Sequence, residues 1–535
     1  MSTSLPGNPD GPEYLGAETG PGKQPRSRGR SGVLAAASVA VVAVLGVGGW
    51  AVAQLMAGGS SPASAVPATA VGYLSINLDP SASQKIEAIK ILKKFPALDK
   101  RLDLGSRDDL RRWVFEQVQK GSGCTDVDYG KDIEPWIGDR IAVAAVREGR
   151  SAVPVVAVQA GDQDAARAAV KKLAACSDGA DHTGTAFVGD YLLVSDSQQH
   201  ADVAAKSAEQ APLADDADFQ TWMKRVGDPG VITAYASADA PALVAKLQRL
   251  ESTTMLQKAP ALGSAPDVKR LSPLYKDFQG MAAVVRFHDG ALETEMVTKG
   301  LPAGMGAQGR TGPAVGTLPA TTAAAFSVGF QDGWLRDYLE SMNQVLGDGQ
   351  SLDQMLRQGE AMTGLRLPED IETLLGQGLS VSVDSSLDPK ALAGSPDPST
   401  VPVGLRIKGD PAKITAVIDK LRAMAGPSAG AVHVAKGDGM VVVGTDQAYV
   451  DKLLTDGGLG STASFDEVIP EADRAGAVLY VDFDAGNGWA EKLGDLASDN
   501  DPRVRENIAP LEALGISSWQ DGDAVQHGLV RLTTD

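Results

Sequence analysis

Residues 153–162 read VPVVAVQAGD, and residues 401–410 read VPVGLRIKGD. Each opens on Val-Pro-Val, closes on Gly-Asp, and is an apolar run of strand length bounded by a turn signal. Working outward from this pair gives further matches in the same order. Upstream, Asp132-Ile133-Glu134 with Gly138 corresponds to Asp370-Ile371-Glu372 with Gly376, and Pro67-Ala68-Thr69 corresponds to Pro319-Ala320-Thr321. Downstream, Gly189-Asp190 corresponds to Gly437-Asp438 with no gap between. Phe219, Gly230 and Lys246-Leu247 then correspond to Phe465, Gly476 and Lys492-Leu493. Ordered blocks of this kind indicate an internal duplication.

The physical pattern repeats with the letters. Ala166, Ala169, Val170 and Leu173 fall where the second copy has Ile414, Val417, Ile418 and Leu421. Both sets follow i, i+3, i+4, i+7, which places them on one face of a helix. Turn residues at 189–190 and 289–290 lie between alternating apolar runs and predict hairpins. Each copy reads as strand, two helices, hairpin, helix, hairpin, helices, strand, helix and final hairpin. Hairpins followed by helices predict antiparallel sheets with helices on one face, an α+β class, and argue against a doubly wound parallel sheet. The copies are expected over 66–300 and 318–535, with a Gly-rich linker at 301–317. Gly304, Gly306 and Gly309 in that linker have dinucleotide-like spacing, but Gly312 and Pro313 interrupt the helix that such a motif needs.

Before the copies, residues 32–56 read GVLAAASVAVVAVLGVGGWAVAQLM, with no charge. At 1.5 Å per residue the stretch reaches roughly 37 Å, enough to cross a bilayer core of about 30 Å. Lys23, Arg26, Arg28 and Arg30 flank it on one side, and residues 57–73 contain neither Lys nor Arg. The positive-inside rule predicts a single-pass membrane protein with a cytoplasmic N-terminus and an extracytoplasmic C-terminus. Ala63-Ser64-Ala65 offers a signal-peptidase-like site, yet the apolar stretch is long for a cleaved signal. Residues 1–31 are rich in Gly, Pro, Ser and charge, a composition that predicts a disordered tail, and 57–65 read as a linker.

The chain carries a net charge of −19. Such a surface repels nucleic acid, and no basic patch with interleaved aromatics offsets it. The opening PATAVGYLSINLD (67–79), the DIEPWIGDRIAVA segment (132–144) and the strand 153–162 resemble a bacterial family of membrane-anchored proteins frequent in actinobacteria, domain of unknown function 3352. The resemblance implies a cell-envelope location and carries no catalytic residues with it.

Motifs for chemistry are sparse. Cys124 and Cys176 are the two cysteines, both after the apolar segment, and in an oxidising compartment they read as a candidate disulfide. Closing that loop contributes roughly 4 kcal/mol in the chain-entropy picture. His182, His200, His288, His433 and His527 form no HxxxH or Cys/His cluster, so no metal site is expected. Residues 426–430 spell GxSxG, but the helix precedes and the strand follows, the reverse of a nucleophile elbow. The segment 482–487 faintly resembles a calcium loop, and Asp215, Asp216 and Asp218 form a second acidic group. Caps and solvated loops account for both. No catalytic residue and no cofactor is assigned. The leading reading is a non-enzymatic envelope module that binds a protein or a wall polymer, in contact with the bilayer through 32–56. A hydrolase with a site between the copies and a carrier of a lipid or other hydrophobic ligand are the alternatives.

Overall fold

The computed structural model describes residues 61–78, 82–95, 111–112, 115–116, 119, 126–176, 183–241, 275–301, 311–346, 352–389, 401–486, 488–497 and 502–535. The first copy contains β1 (Ala70–Asn77), α1 (Ala82–Lys93), a π-helical turn over Tyr129–Ile133, β2 (Ile137–Glu148), β3 (Ser151–Ala160), α2 (Gln163–Cys176), β4 (Gly184–Val188), β5 (Tyr191–Ser195) and α3 (Gln198–Gln210). It continues with α4 (Ala217–Arg225), β6 (Ile232–Ser237), β7 (Gly280–His288) and β8 (Ala291–Lys299). The second contains α5 (Gly312–Gly316), β9 (Thr322–Gly329), α6 (Trp334–Leu346), α7 (Leu352–Thr363), α8 (Glu369–Leu375), β10 (Gly378–Asp384), β11 (Val403–Lys408) and α9 (Pro411–Ala425). Then come β12 (His433–Gly437), β13 (Met440–Gly444), α10 (Gln447–Leu453), α11 (Ala463–Val468), β14 (Ala477–Asp482), α12 (Trp489–Ala497), α13 (Pro502–Ile508), β15 (Leu511–Gln520) and β16 (Val525–Thr534).

All of these strands join one 16-stranded sheet. Its first half runs β4-β5-β3-β2-β1-β6-β7-β8, and its second runs β12-β13-β11-β10-β9-β14-β15-β16. The two orders are the same, so the duplication is one of topology as well as of sequence. The halves meet where β8 and β16 pair antiparallel, from Lys299 opposite Val525 to Leu292 opposite Leu532. Every pairing is antiparallel, which gives the α+β class.

Contacts repeat along with strands. Lys172 of α2 meets Asp132 of the π-helical turn at 2.5 Å, and Lys420 of α9 meets Asp370 of α8 at 2.6 Å. The same carboxylate oxygen accepts a backbone N–H four residues upstream in each case, from Asp128 at 2.8 Å and from Arg366 at 2.9 Å. Phe219 packs against Tyr235 with ring centroids 5.2 Å apart, and Phe465 against Tyr480 at 5.3 Å, both edge-on. Pro67 bridges to Pro212 and Pro319 to Gly458.

Three expectations need correction. Helices cover both faces of the sheet, not one. Tyr73, Ala144 and Leu193 pack on one face with Ala204 of α3 and Phe219 of α4, while Leu74 and Ile76 pack on the other with Ala88 and Ile91 of α1. A strand with apolar residues at both parities can be covered twice, and period-2 alternation does not tell which face is open. The match of Gly189 to Gly437 slips by one. The turns are 189–190 and 438–439, with positive φ at Gly189 (57°) and Gly439 (63°), because the helix before the hairpin is one residue longer in the second copy, 15 residues against 14. Finally, a short helix does follow the glycines at 304, 306 and 309, inside the segment expected to be a linker, since Pro313 sits in the first turn of α5, where a missing N–H leaves no bond unmade.

The segment 32–56, Cys124, His182, Lys246-Leu247 and the side chain of Cys176 lie outside the described residues. Among the described residues, no helix is long and apolar enough to cross a membrane.

Candidate functional site

The strand β10 inverts the usual rule. Its buried side chains are Ser380, Ser382 and Asp384, and its more open ones are Leu379, Val381 and Val383. The buried polar set is stable because each member is bonded. Ser327 Oγ donates to Ser380 Oγ at 2.6 Å, Tyr449 Oη of α10 donates to Ser382 Oγ at 2.8 Å, and Thr321 Oγ1 donates to Asp384 at 2.6 Å. Burial alone would raise the Asp384 carboxyl, but the hydrogen bonds from Thr321 and Ser386, with Lys452 nearby, hold it below its ordinary range. The small and polar residues therefore face the helices α10 and α11, and the large apolar ones face the other way.

That other face carries one continuous row of side chains across the sheet. In the first half it runs Phe187, Leu192, Val158, Ile141, Ile76, Ile232, Val285 and Thr294. In the second it runs Val530, Ile516, Leu479, Phe326, Val381, Leu405, Val443 and Val434. Thr294 is the one polar side chain in the row. Helix α2 covers the Phe187–Val158 end, α1 covers Ile76, Ile232 and Val285, and α9 covers Leu405, Val443 and Val434. Between them the row is open: Phe326 is 46% exposed, Val381 38% and Ile516 36%.

The reason is written in the helix that follows the first strand of each copy. Helix α1 seats Ala88, Ile91 and Leu92 on the sheet. At the offset that relates Ala82 to Trp334, the corresponding residues of α6 are Glu340, Asn343 and Gln344. The second copy therefore does not repeat in its sequence the apolar stripe that α1 presents. Helix α6 instead stacks Trp334 on Tyr338, and between α6 and α7 lies a groove of about 300 Å³ lined by Leu339, Leu352, Leu356 and Pro368 with Arg336, Glu340 and Asp353. The sequence signal for the open face was present in these polar substitutions. Only the register across β9, β10, β14 and β15 makes it readable.

The residues singled out from sequence take other roles. Asp216 caps α4 by accepting the Phe219 N–H at 2.8 Å. Asp482 accepts the Asp484 N–H at 3.0 Å and hydrogen bonds from Ser464 and Tyr480, so its lone pairs serve the loop. Gly426, with φ at 61°, ends α9, and a 3-10 turn over Gly426–Ala431 leads into β12, which keeps the GxSxG order helix-first. His200 sits between Asp196 and Glu148, and His527 stacks on Trp519 with Asp521 at 3.3 Å. These carboxylates hold the two imidazoles in place. Among the described residues, no group of three or more His, Cys, Asp or Glu side chains could hold a metal ion.

The family described as "Protein of unknown function (DUF3352)" matches residues 33–395, which is more than half of the chain. No curated protein and no solved structure matches it.

Proposed function

The chain belongs to the DUF3352 family, and with that as premise we propose that it is a non-enzymatic binding module of the cell envelope. Residues 32–56 tether it to the bilayer, with the N-terminus in the cytoplasm and the duplicated region outside. The charge-free apolar run and its one-sided basic flank support the tether and its direction. The first copy is closed by its own helices and acts as scaffold. The second copy presents the binding surface.

One observation carries this reading. On β9 and β10 the open face is the more apolar one, with Phe326, Val381, Leu379 and Val328 outward and serines inward. A continuous apolar face left to water marks a place where something else sits.

The test uses the full chain and an environment-sensitive apolar dye such as bis-ANS. Phe326→Glu and Ile516→Glu should each lower dye binding at least tenfold. Ile86→Glu, at an exposed position of α1, should leave it unchanged. Equal dye binding in all three variants would remove the open face as the site. Protease digestion of a tag placed after Asp535, in intact spheroplasts, tests the tether's direction.

A further inference from the structure

Resting on the tether proposed above, we infer that the bilayer holding residues 32–56 lies on the side of the sheet that carries α3 and α4, against that helical face. The open apolar face is then turned away from it. Four residues, Ala57 to Ser60, separate the apolar run from Ser61. At roughly 3.5 Å per residue at most, the steps from Met56 to Ser61 reach about 18 Å. An upright apolar run of roughly 37 Å overshoots a bilayer core of about 30 Å by about 7 Å, which is the most it adds. Ser61 is thus held within about 25 Å of the hydrocarbon.

Ser61 is also fixed to the fold. Its carbonyl accepts the Ser64 N–H at 2.9 Å, where a 3-10 turn over Pro62–Ser64 begins. Ala63, Ala65 and Val66 are at most 1% exposed and pack with Tyr73, Ala144 and Val155 of the sheet and Ala204 of α3. Just after α3, the Leu213 N–H donates to the Val66 carbonyl at 2.7 Å, and the Ala68 N–H donates to the Ala211 carbonyl at 2.8 Å. The chain therefore enters on the α3 side, over β2 and β3.

The opposite face is out of reach. To rest it on the bilayer, the chain must pass from Ser61 round β5 and β4 and then descend past the sheet and α2. The two strands to the edge take roughly 10 Å, the side-chain layer on the entry side about 5 Å, and the layer of α2 about 15 Å. The headgroups add about 5 Å or more, since the folded chain stays outside them. The path exceeds 30 Å by this estimate, against about 25 Å of link. Exposed charges on α3 are of both signs, Asp202, Lys206 and Glu209, so the length of the link sets the contact rather than attraction to lipid. The occupant of the open face then arrives from the extracytoplasmic phase and not from the anchoring bilayer.

The experiment places photoreactive benzoylphenylalanine in the full chain, one position at a time, and maps lipid adducts in intact membranes by mass spectrometry. Val203 of α3 is 44% exposed, Ile86 of α1 56% and Met424 of α9 48%, so each accepts the probe without loss of packing. Adducts at Val203 should exceed those at Ile86 and at Met424 at least tenfold. Equal or reversed yields would overturn the orientation, and so would the absence of adducts at all three. The same probe in place of Val41 is the control for the tether. Adducts at Val41 with none at Val203 sink the orientation alone, whereas no adduct at Val41 sinks the tether with it.

Discussion

At the scale of single residues, the duplicated ion pair is the most informative feature. Asp370 is almost fully buried, and the Lys420 hydrogen bond, the Arg366 N–H and the two nearby positive charges hold its carboxyl below the ordinary range. Asp132 is held down in the same way by Lys172 and the Asp128 N–H. A lowered carboxyl contributes stability that is present above its unfolded pKa and is lost as pH falls through the folded one. Asp370→Asn should therefore lower the unfolding midpoint at pH 7 and narrow the gap to wild type near pH 3. Asp132→Asn, at the more exposed site, should do the same less strongly. Thermal melts across pH check both, and an Asp370→Asn effect that grows on acidification would refute the assignment. Asp484 has the opposite sign. Burial, with Asp535, Asp482 and Glu512 close by, pushes its carboxyl up to about 6. Its stabilising contribution is complete below its unfolded pKa and is lost as pH rises through 6. Asp484→Asn should raise the midpoint by about a degree or two at pH 7.5 and leave it unchanged at pH 3.5. The sequence exposed Asp132 and Asp370 as matching letters, but not their lysines. A pairing across 40 or 50 residues depends on how a helix docks, and no local period records that.

At the scale of elements, alternation made the strands legible and turn chemistry made the hairpins legible. The β7–β8 turn has positive φ at both Asp289 (48°) and Gly290 (74°), the geometry that a two-residue hairpin loop needs. The β15–β16 turn is longer and places Ala524 at φ 59°, a left-handed conformation that costs a residue with a Cβ roughly 1–2 kcal/mol. Ala524→Gly should thus stabilise the protein by about 0.5–1 kcal/mol, and Gly290→Ala should destabilise it by about 1 kcal/mol, both read from urea unfolding. Equal and opposite effects are not required, but a destabilising Ala524→Gly would contradict the geometry. The open face was not legible at this scale. β10 alternates Leu379, Val381 and Val383 with Ser380, Ser382 and Asp384, and both parities of β9 carry small or apolar residues, so the pattern taken alone puts the apolar parity inside. Hydrogen bonds from Tyr449 and Thr321 to the polar parity put that one inside instead.

At the scale of the whole molecule, the question is whether two copies behave as one body. Their shared sheet says that they do, and the seam shows how. Glu293 of β8, 3% exposed, accepts from Arg286 at 2.7 Å within its own copy and from Arg531 of β16 at 2.5 Å across the seam. Arg286 also reaches Glu295 and the Val226 carbonyl beyond α4, while Arg531 reaches the Glu467 carbonyl of α11. The equivalent helices of both copies are thereby tied to one buried carboxylate. Removing one member of a buried, hydrogen-bonded charge set leaves the others desolvated and unpaired, at a cost of about 3–5 kcal/mol. Glu293→Gln keeps the shape and removes the charge, so it isolates that term. Wild type should unfold in urea as a single transition, followed in parallel by far-UV dichroism and by tryptophan fluorescence. Glu293→Gln should shift that transition to lower denaturant by the stated amount. If the copies were held only by strand pairing, the variant would match wild type. If they were independent, two transitions would be seen in wild type, and Glu293→Gln would move only the one to which the first copy belongs.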